Sequence, residues 1–316
     1  MDPEIKQEQI PEKKDFKFNF NIGADPEFQI ISGNKRISAG EAVNALFAND
    51  PKCKTKELGY DIPTFGNIGW DNHDCTGEFR PKPEKTPQAL ANNIEGLINF
   101  ITSKANFFKI STLSYGDPLG GHIHLEIDEQ SAQNNAITDK LQRRLAFMYI
   151  PLMLNDNMMI LKKRLQQNYG GFTDKRLEKR SNGKYTLEFR TPSAEWMTTK
   201  EITIATLAYV ATVWNELINH PENVEKHAAC FFTDNNHAQN IQRLPLNNFL
   251  VFIEMMCAQA KSIIKTFEGY KIYKNEIDFI MNNKRIIDIK KKANWDCVAG
   301  WKIPTRVWAI RPVKQR

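Results

Sequence analysis

The sequence predicts an α+β protein: a sheet with one charged face, followed by a helical C-terminal third. Four short stretches carry the first half of that reading. They are Asp25-Pro26-Glu27-Phe28, Thr76-Gly77-Glu78-Phe79-Arg80-Pro81, Gly120-Gly121-His122-Ile123-His124-Leu125-Glu126-Ile127 and Leu187-Glu188-Phe189-Arg190-Thr191-Pro192. Each sets ionisable side chains at i and i+2, with small or apolar residues between. Side chains of a strand alternate between faces, so each stretch is a strand with one polar and one apolar side. After Pro192 the periodicity becomes helical, over Thr199 to His220, Leu246 to Gly269 and Glu276 to Lys292.

Taken in order, residues 1 to about 16 are polar and charged, a flexible leader. Phe16 to Gly23 alternates and leads as a strand into Asp25 and Glu27. Ile30-Ile31, Gly33-Asn34 and Lys35-Arg36-Ile37 then form a hairpin. Glu41 to Ala48 is a short helix, and Pro51 to Gly69, rich in Lys, Pro and Gly, is loop. Gly69-Trp70-Asp71-Asn72-His73-Asp74 precedes Glu78 and serves a turn or a binding loop. Thr86 caps a helix that starts at Pro87 and runs to about Lys104. Leu90, Ile94, Leu97, Ile98 and Ile101 form its apolar stripe. Phe107 to Leu113 is a strand, and Ser114 to Gly121 is the loop that delivers His122. Ala136 to Lys163 is helical, interrupted near Pro151. Lys175 to Arg180 reads as a basic loop able to face a phosphate, and Asn182-Gly183 turns the chain into Tyr185 to Arg190. In the last segment Trp295, Trp301 and Trp308 are too costly to leave in water, so the tail packs back on the domain.

If the four strands share one sheet, a single face gathers Asp25, Glu27, Glu78, Arg80, His122, His124, Glu126, Glu188 and Arg190. Carboxylates with histidine are a divalent-metal inventory, and the oxygen-rich balance favours Mg2+ or Mn2+ over zinc. Guanidinium groups pair bidentately with phosphate or carboxylate. Together these are the equipment of a nucleotide-triphosphate site.

Composition sets further bounds. The 316 residues are 41% hydrophobic and 25% charged, as in an ordinary globular protein. No apolar run reaches the roughly 20 residues that span a bilayer, and the charged start lacks a signal-peptide core; a cytoplasmic protein without membrane attachment is expected. The five cysteines are scattered and form no CxxC pair, so they read as reduced thiols. Cys75, near Glu78, is read as incidental packing. Residues 284–316 carry ten Lys/Arg against two Asp, a net +8 in a chain of net +6. That basic end is either a solvated helix and tail or a contact for nucleic acid or an acidic partner.

The order of motifs resembles a known family. Gly23-Ala24-Asp25-Pro26-Glu27-Phe28, then Gly69-Trp70-Asp71 with Glu78-Phe79-Arg80-Pro81, then Gly120-Gly121-His122-Ile123-His124, and finally Tyr169-Gly170, Arg176 and Glu188-Phe189-Arg190-Thr191-Pro192-Ser193 look like the phage-type carboxylate–amine ligases (amidoligases) of the glutamine synthetase/glutamate–cysteine ligase fold. The resemblance covers about residues 20 to 200. It implies a curved, mainly antiparallel sheet with helices on its outer face, and a polar face that holds ATP and two or three divalent ions. On this basis residues 17–200 are the catalytic sheet domain and 201–316 a helical region packed on it. Asp25 and Glu27 look like the family's first metal-binding acidic pair, and Glu78, with Asp71, its second acidic group. His122 matches the histidine near the transferred phosphate. His124 is then implied either to support the metal ligands from behind or to contact the nucleotide, and Arg80 to contact the nucleotide. Arg176 and Arg180 are candidates for the phosphates, while Glu188 and Arg190 match the closing Glu-x-Arg pair, a metal ligand and a phosphate or substrate clamp. Two departures are the Asp in the first pair, a shorter reach, and Asn72, where relatives commonly have Gly.

The implied activity is an ATP-dependent ligase that activates a carboxylate as an acyl phosphate and joins it to an amine on a small molecule, peptide, protein or cell-wall component. A phosphotransferase on the same sheet is the nearest alternative. A non-catalytic nucleic-acid or virion protein is the alternative from another class.

Overall fold

In the computed structural model, which describes residues 16–71, 75–104, 108–114 and 116–301, ten strands form one open sheet. They are β1 (Ile22–Ser32), β2 (Lys35–Ile37), β3 (Lys54–Lys56), β4 (Gly59–Ile62), β5 (Gly66–Trp70), β6 (Gly77–Pro81), β7 (Phe108–Ser111), β8 (Gly121–Ile127), β9 (Lys175–Lys179) and β10 (Tyr185–Phe189). The main path runs β3-β4-β5-β6-β1-β8-β10-β9. Every pairing is antiparallel. The long β1 changes partners along its length. Residues 22–26 pair with β8, Glu27 and Phe28 with β6, and residues 29–32 with β7, while β2 returns as the expected hairpin.

Alternation explains why these strands share a core. Ile22, Ala24, Phe28 and Ile30 of β1, Phe79 of β6, Ile123 and Leu125 of β8, and Leu187 and Phe189 of β10 are all buried. The Phe28 and Phe79 rings stack at 4.3 Å, and Tyr149 meets Phe189 edge-on at 5.5 Å. The helix Pro87–Lys104 packs its apolar stripe, with Leu90, Ile94, Leu97, Ile98 and Ile101 fully buried, against this layer and against the helix Lys200–Asn219. Thr86 caps it, its Oγ1 accepting from the Ala89 amide at 3.1 Å. Trp214, on the second helix, donates to the Glu126 carbonyl of β8 at 3.1 Å.

Several expectations need correction. Residues 16–21 form no strand; Phe18 and Phe20 are buried against each other and Tyr273, but their backbone has only isolated partners, such as Phe18 N–H to Lys85 O, and no neighbouring ladder. Pro51 to Gly69 is not loop but contains β3, β4 and most of β5. Tyr60, Ile62 and Ile68 are the buried alternation that glycines obscure in the sequence. Gly69 is required there, since a Cβ would lie 2.0 Å from the Leu58 carbonyl oxygen. Lys175–Lys179 is the edge strand β9, not a loop, because Leu177 packs on the core while its charged neighbours point the other way. The helical stretch from residue 136 is interrupted near Pro151 as expected, Asn135–Met153 being separated from Met158–Gln166 two residues after it. Two other stretches fall short of expectation: the helix from Leu246 ends at Ile264, and Lys274–Ile280 is divided from Asn283–Ala293 where Asn282 caps the second helix. The leader through residue 15, the strand start at Phe107, and His73 and Trp308 lie outside the described residues.

The described part of the tail, through Trp301, packs back as expected. Trp301 is buried and donates to Met197 O at 2.8 Å; Trp295 donates to Glu195 Oε2 at 2.8 Å. Beneath them Lys290, 1% exposed, bonds Asn155 O at 2.8 Å and Asp156 Oδ1 at 3.0 Å and lies 3.4 Å from Glu195 Oε2. Removing one member of a buried ion group strands the charges left behind. Lys290→Met is therefore expected to lower unfolding free energy by about 3–5 kcal/mol in urea titrations. A loss under about 1 kcal/mol would show that Asp156 and Glu195 need no counter-charge.

Candidate functional site

The strand registers put the predicted residues side by side. Asp25 of β1 faces His122 of β8, Glu27 faces Glu78 of β6, and Glu188 of β10 lies between His124 of β8 and Arg176 of β9. One cavity of about 510 Å³ opens over this face. Asp25, Asp71, Glu78, Arg80, His124, Glu126, Arg176 and Arg180 all line it. Glu27, His122 and Glu188 are more deeply placed, each at most 5% exposed.

At the floor, Asp25, His122 and Glu188 offer ligand atoms that all lie within 4.8 Å of one another. His122 Nδ1 is 3.2 Å from Glu188 Oε1 and 3.4 Å from Asp25 Oδ1. Glu27 is held from two sides: its Oε2 accepts the Gly120 amide at 2.6 Å, and its Oε1 accepts the Tyr169 hydroxyl at 2.7 Å. Gly120 is dictated by this crowding, since a Cβ there would fall 2.2 Å from His122 Nε2 and 2.6 Å from the Tyr169 hydroxyl. Glu188 Oε1 accepts from Arg190 Nη1 at 2.7 Å, and its Oε2 lies 3.4 Å from Arg176 Nε.

His124 links this floor to the rim. A guanidinium has no lone pair to offer, so Arg180 Nη2 donates to His124 Nδ1 at 2.7 Å. The remaining His124 Nε2 then carries the proton toward Asp25 Oδ2 at 2.9 Å. Arg176, Arg180 and Lys184 are the exposed cations of the lining, with 58%, 41% and 52% of their side chains exposed. Arg80 is engaged by the sheet itself, donating to Leu58 O, Asn67 Oδ1, Trp70 O and the Glu78 carboxylate. Glu126 sits at the outer end, paired with Lys184 at 2.5 Å.

The electrostatics show a surplus of negative charge. Burial raises the pKa of Asp25, but His124 and His122 more than offset it and hold the carboxyl below its ordinary range. Burial, with Asp25 and Glu27 nearby, lifts Glu78 well above its range despite Arg80. Burial also lifts Glu27, against the pull of His122 and the Gly120 amide. His122 is raised although burial opposes its charge, because Asp25, Glu27 and Glu188 surround it. Like charges at close quarters cannot all ionise unless a cation joins them. Two buried oxygens, Asp25 Oδ1 and Glu188 Oε2, accept no hydrogen bond. Carboxylate oxygens with one imidazole, some of them unbonded, suit a hard divalent cation.

Some participants were not singled out from the sequence. Tyr169 appeared there only within a motif, yet it joins Glu27 to His122. Asp174 pairs with Arg190 Nε at 3.3 Å and accepts the Gly170 amide at 2.8 Å. Glu178 sits between Arg176 and Arg180, at 3.7 and 3.1 Å; its alternation with the two arginines was the signal a strand assignment for 175–179 would have exposed.

A family model described as Phage phiEco32-like COOH.NH2 ligase-type 2 matches residues 22–303. No curated protein matches the sequence significantly. Solved structures similar to this chain include a bifunctional glutathione synthetase from Pasteurella multocida, at 10% identity and a TM-score of 0.43, covering 89% of this chain and 51% of that one. Another is the complex between the prokaryotic ubiquitin-like protein Pup and its ligase PafA, at 10% identity and a TM-score of 0.41, covering 87% and 70%. The chain thus spans about half the length of the glutathione synthetase.

Proposed function

We propose that this chain, which belongs to the phage phiEco32-like carboxylate–amine ligase family, is an ATP-dependent ligase working through an acyl phosphate. The observation that carries the proposal is the joining of two kinds of group in one cavity. Asp25, which lines it, converges with the more deeply buried His122 and Glu188, and the exposed Arg176 and Arg180 line the same cavity. In this reading a carboxylate oxygen of one substrate attacks the γ-phosphorus of ATP, and ADP leaves. The nitrogen of an amine then attacks the acyl carbon, loses a proton and expels inorganic phosphate, leaving an amide.

Each residue has a part that follows from its contacts. Asp25, His122 and Glu188, with Glu27 and Glu78, would hold divalent cations, Mg2+ or Mn2+. Such ions supply charge neutralisation for the β- and γ-phosphates. Arg176 and Arg180 bind phosphate oxygens, and His124 holds Arg180 in line with Asp25. Arg190, whose pKa Glu188 and Asp174 raise against the effect of burial, stays cationic beside the transferred group. No described histidine–serine or histidine–cysteine pair is assigned a nucleophilic part, and none is needed. The cavity supplies partial shelter for an acyl phosphate that water would destroy.

The test follows the oxygen. With the substrate carboxylate labelled with heavy oxygen, one labelled oxygen per turnover is expected in the released phosphate. Unlabelled phosphate with amide formed would exclude the acyl phosphate. A stable phosphorylated product without free phosphate would identify a phosphotransferase. Neither product, with nucleic acid bound through the basic end, would identify a binding protein.

A further inference from the structure

Among residues with no assigned part, Tyr169 stands out for what surrounds it. It lies on the turn after the helix Met158–Gln166, next to Asn168 at φ 56° and Gly170 at φ 68°. Its hydroxyl is 2.7 Å from Glu27 Oε1 and 3.3 Å from His122 Nε2. Its ring is bracketed by two guanidinium groups, Arg164 at 5.3 Å and Arg190 at 5.6 Å. Arg164 is 1% exposed and forms no ion pair with any described carboxylate. It donates instead to Thr191 O at 3.5 Å and Pro192 O at 3.1 Å, and its Nε has no acceptor. A buried cation with no counter-charge is expensive unless the neighbouring π face and carbonyls stabilise it. The same guanidinium therefore fixes both the tyrosine and the segment Thr191-Pro192, which follows Glu188 of β10 and Arg190 directly.

A phenol hydroxyl has one hydrogen to give. Glu27 as a carboxylate only accepts, so the hydroxyl donates to Glu27 and accepts from His122 Nε2. That order leaves His122 Nδ1 turned toward Asp25 and Glu188. Metal-binding histidines characteristically have their second ring nitrogen fixed by such a partner.

We propose that Tyr169 is a positioning residue that orients His122 and Glu27 as one cation-binding unit, with Arg164 and Arg190 holding its ring. The proposal rests on the divalent-cation reading of the Asp25–His122–Glu188 cluster. Tyr169 acts through those two side chains rather than on substrate.

The test uses the full chain without nucleotide, with Mn2+ as probe. Binding is followed by electron paramagnetic resonance of the free ion, and His122 by nitrogen NMR. Tyr169→Phe keeps the ring and both guanidinium contacts and removes only the hydroxyl. A loss of Mn2+ affinity of about 10- to 100-fold is expected, with a changed His122 Nε2 resonance and an unchanged far-ultraviolet spectrum. Asp25→Asn in the same assay should abolish binding. If the wild-type chain and Asp25→Asn both fail to bind Mn2+, the cation reading falls and this proposal with it. If the wild type binds, Asp25→Asn does not, and Tyr169→Phe binds as tightly as the wild type, the positioning proposal alone is overturned.

Discussion

Glu188→Gln should lower turnover by about three orders of magnitude, on the scale of removing one preorganised charge from a transition-state site. Glu188 is 1% exposed and touches His122, Arg190 and Arg176 at 3.2, 2.7 and 3.4 Å. Glutamine keeps the shape and still accepts a hydrogen bond from Arg190, so the backbone of β10 has no reason to move. What it lacks is the negative charge that offsets two guanidinium groups and contributes to the cation cluster. The folded state should survive, because β10 is held by its ladders to β8 and β9 and by buried Leu187 and Phe189. Steady-state rates at saturating ATP and carboxylate, with a thermal melt of the same preparation, check both halves. Activity within about tenfold of wild type would remove Glu188 from the proposed machinery. A melt lowered in step with the rate would instead make Glu188 a structural ion-pair residue.

The candidate site was more legible in the sequence than the path that builds it. Period-2 alternation is a local property, so Asp25 with Glu27, His122 with His124, and Glu188 were each assignable to one side of their own strand. Their convergence needed the sheet order, which depends on pairings far apart in the chain, Glu27 with Glu78, His124 with Glu188 and Asp25 with His122. Family resemblance supplied the expectation of one shared polar face, but neither it nor alternation gave the strand order. Short strands were the main loss. The strands β3, β4 and β5 are rich in glycine and lysine, and glycine has no side chain with which to display a face. The strand β9 was hidden for a different reason, since its alternating charges at Arg176, Glu178 and Arg180 leave only Leu177 to mark the buried side. Tyr169 was invisible to pattern reading, because its role comes from a turn that brings its hydroxyl 142 residues away to Glu27. The helix breaks followed capping asparagines, Asn157 and Asn282, whose side chains accept amides of the next helix.

Removing divalent cations should nearly abolish nucleotide binding, and the reason lies in the charge of the cavity. Its lining brings five carboxylates, Asp25, Asp71, Glu78, Glu126 and Glu178, against four cationic side chains, Arg80, Arg176, Arg180 and Lys184. All four cations already face carboxylates, Arg80 with Glu78, Arg180 with Glu178, Lys184 with Glu126, and Arg176 with Glu188 and Glu178. A bare triphosphate entering this space meets Asp25 and Glu78 with little free positive charge to balance them. A single uncompensated pair of unit charges about 4 Å apart costs roughly 4 kcal/mol at an effective dielectric near 20, or about 10³ in binding constant. Calorimetric titration with a non-hydrolysable ATP analogue is expected to give a clear isotherm in Mg2+ and none in excess chelator. Asp25→Asn should weaken the Mg2+-dependent binding. It should also leave the chelated protein slightly more tolerant of the analogue, because the variant removes the repelling charge together with the ligand. That opposite sign in the two conditions distinguishes a cation-binding carboxylate from one that merely props the sheet. Equal affinity with and without chelator would mean that Arg176 and Arg180 carry the triphosphate unaided, and the carboxylate cluster would then need a purpose other than holding ions for ATP.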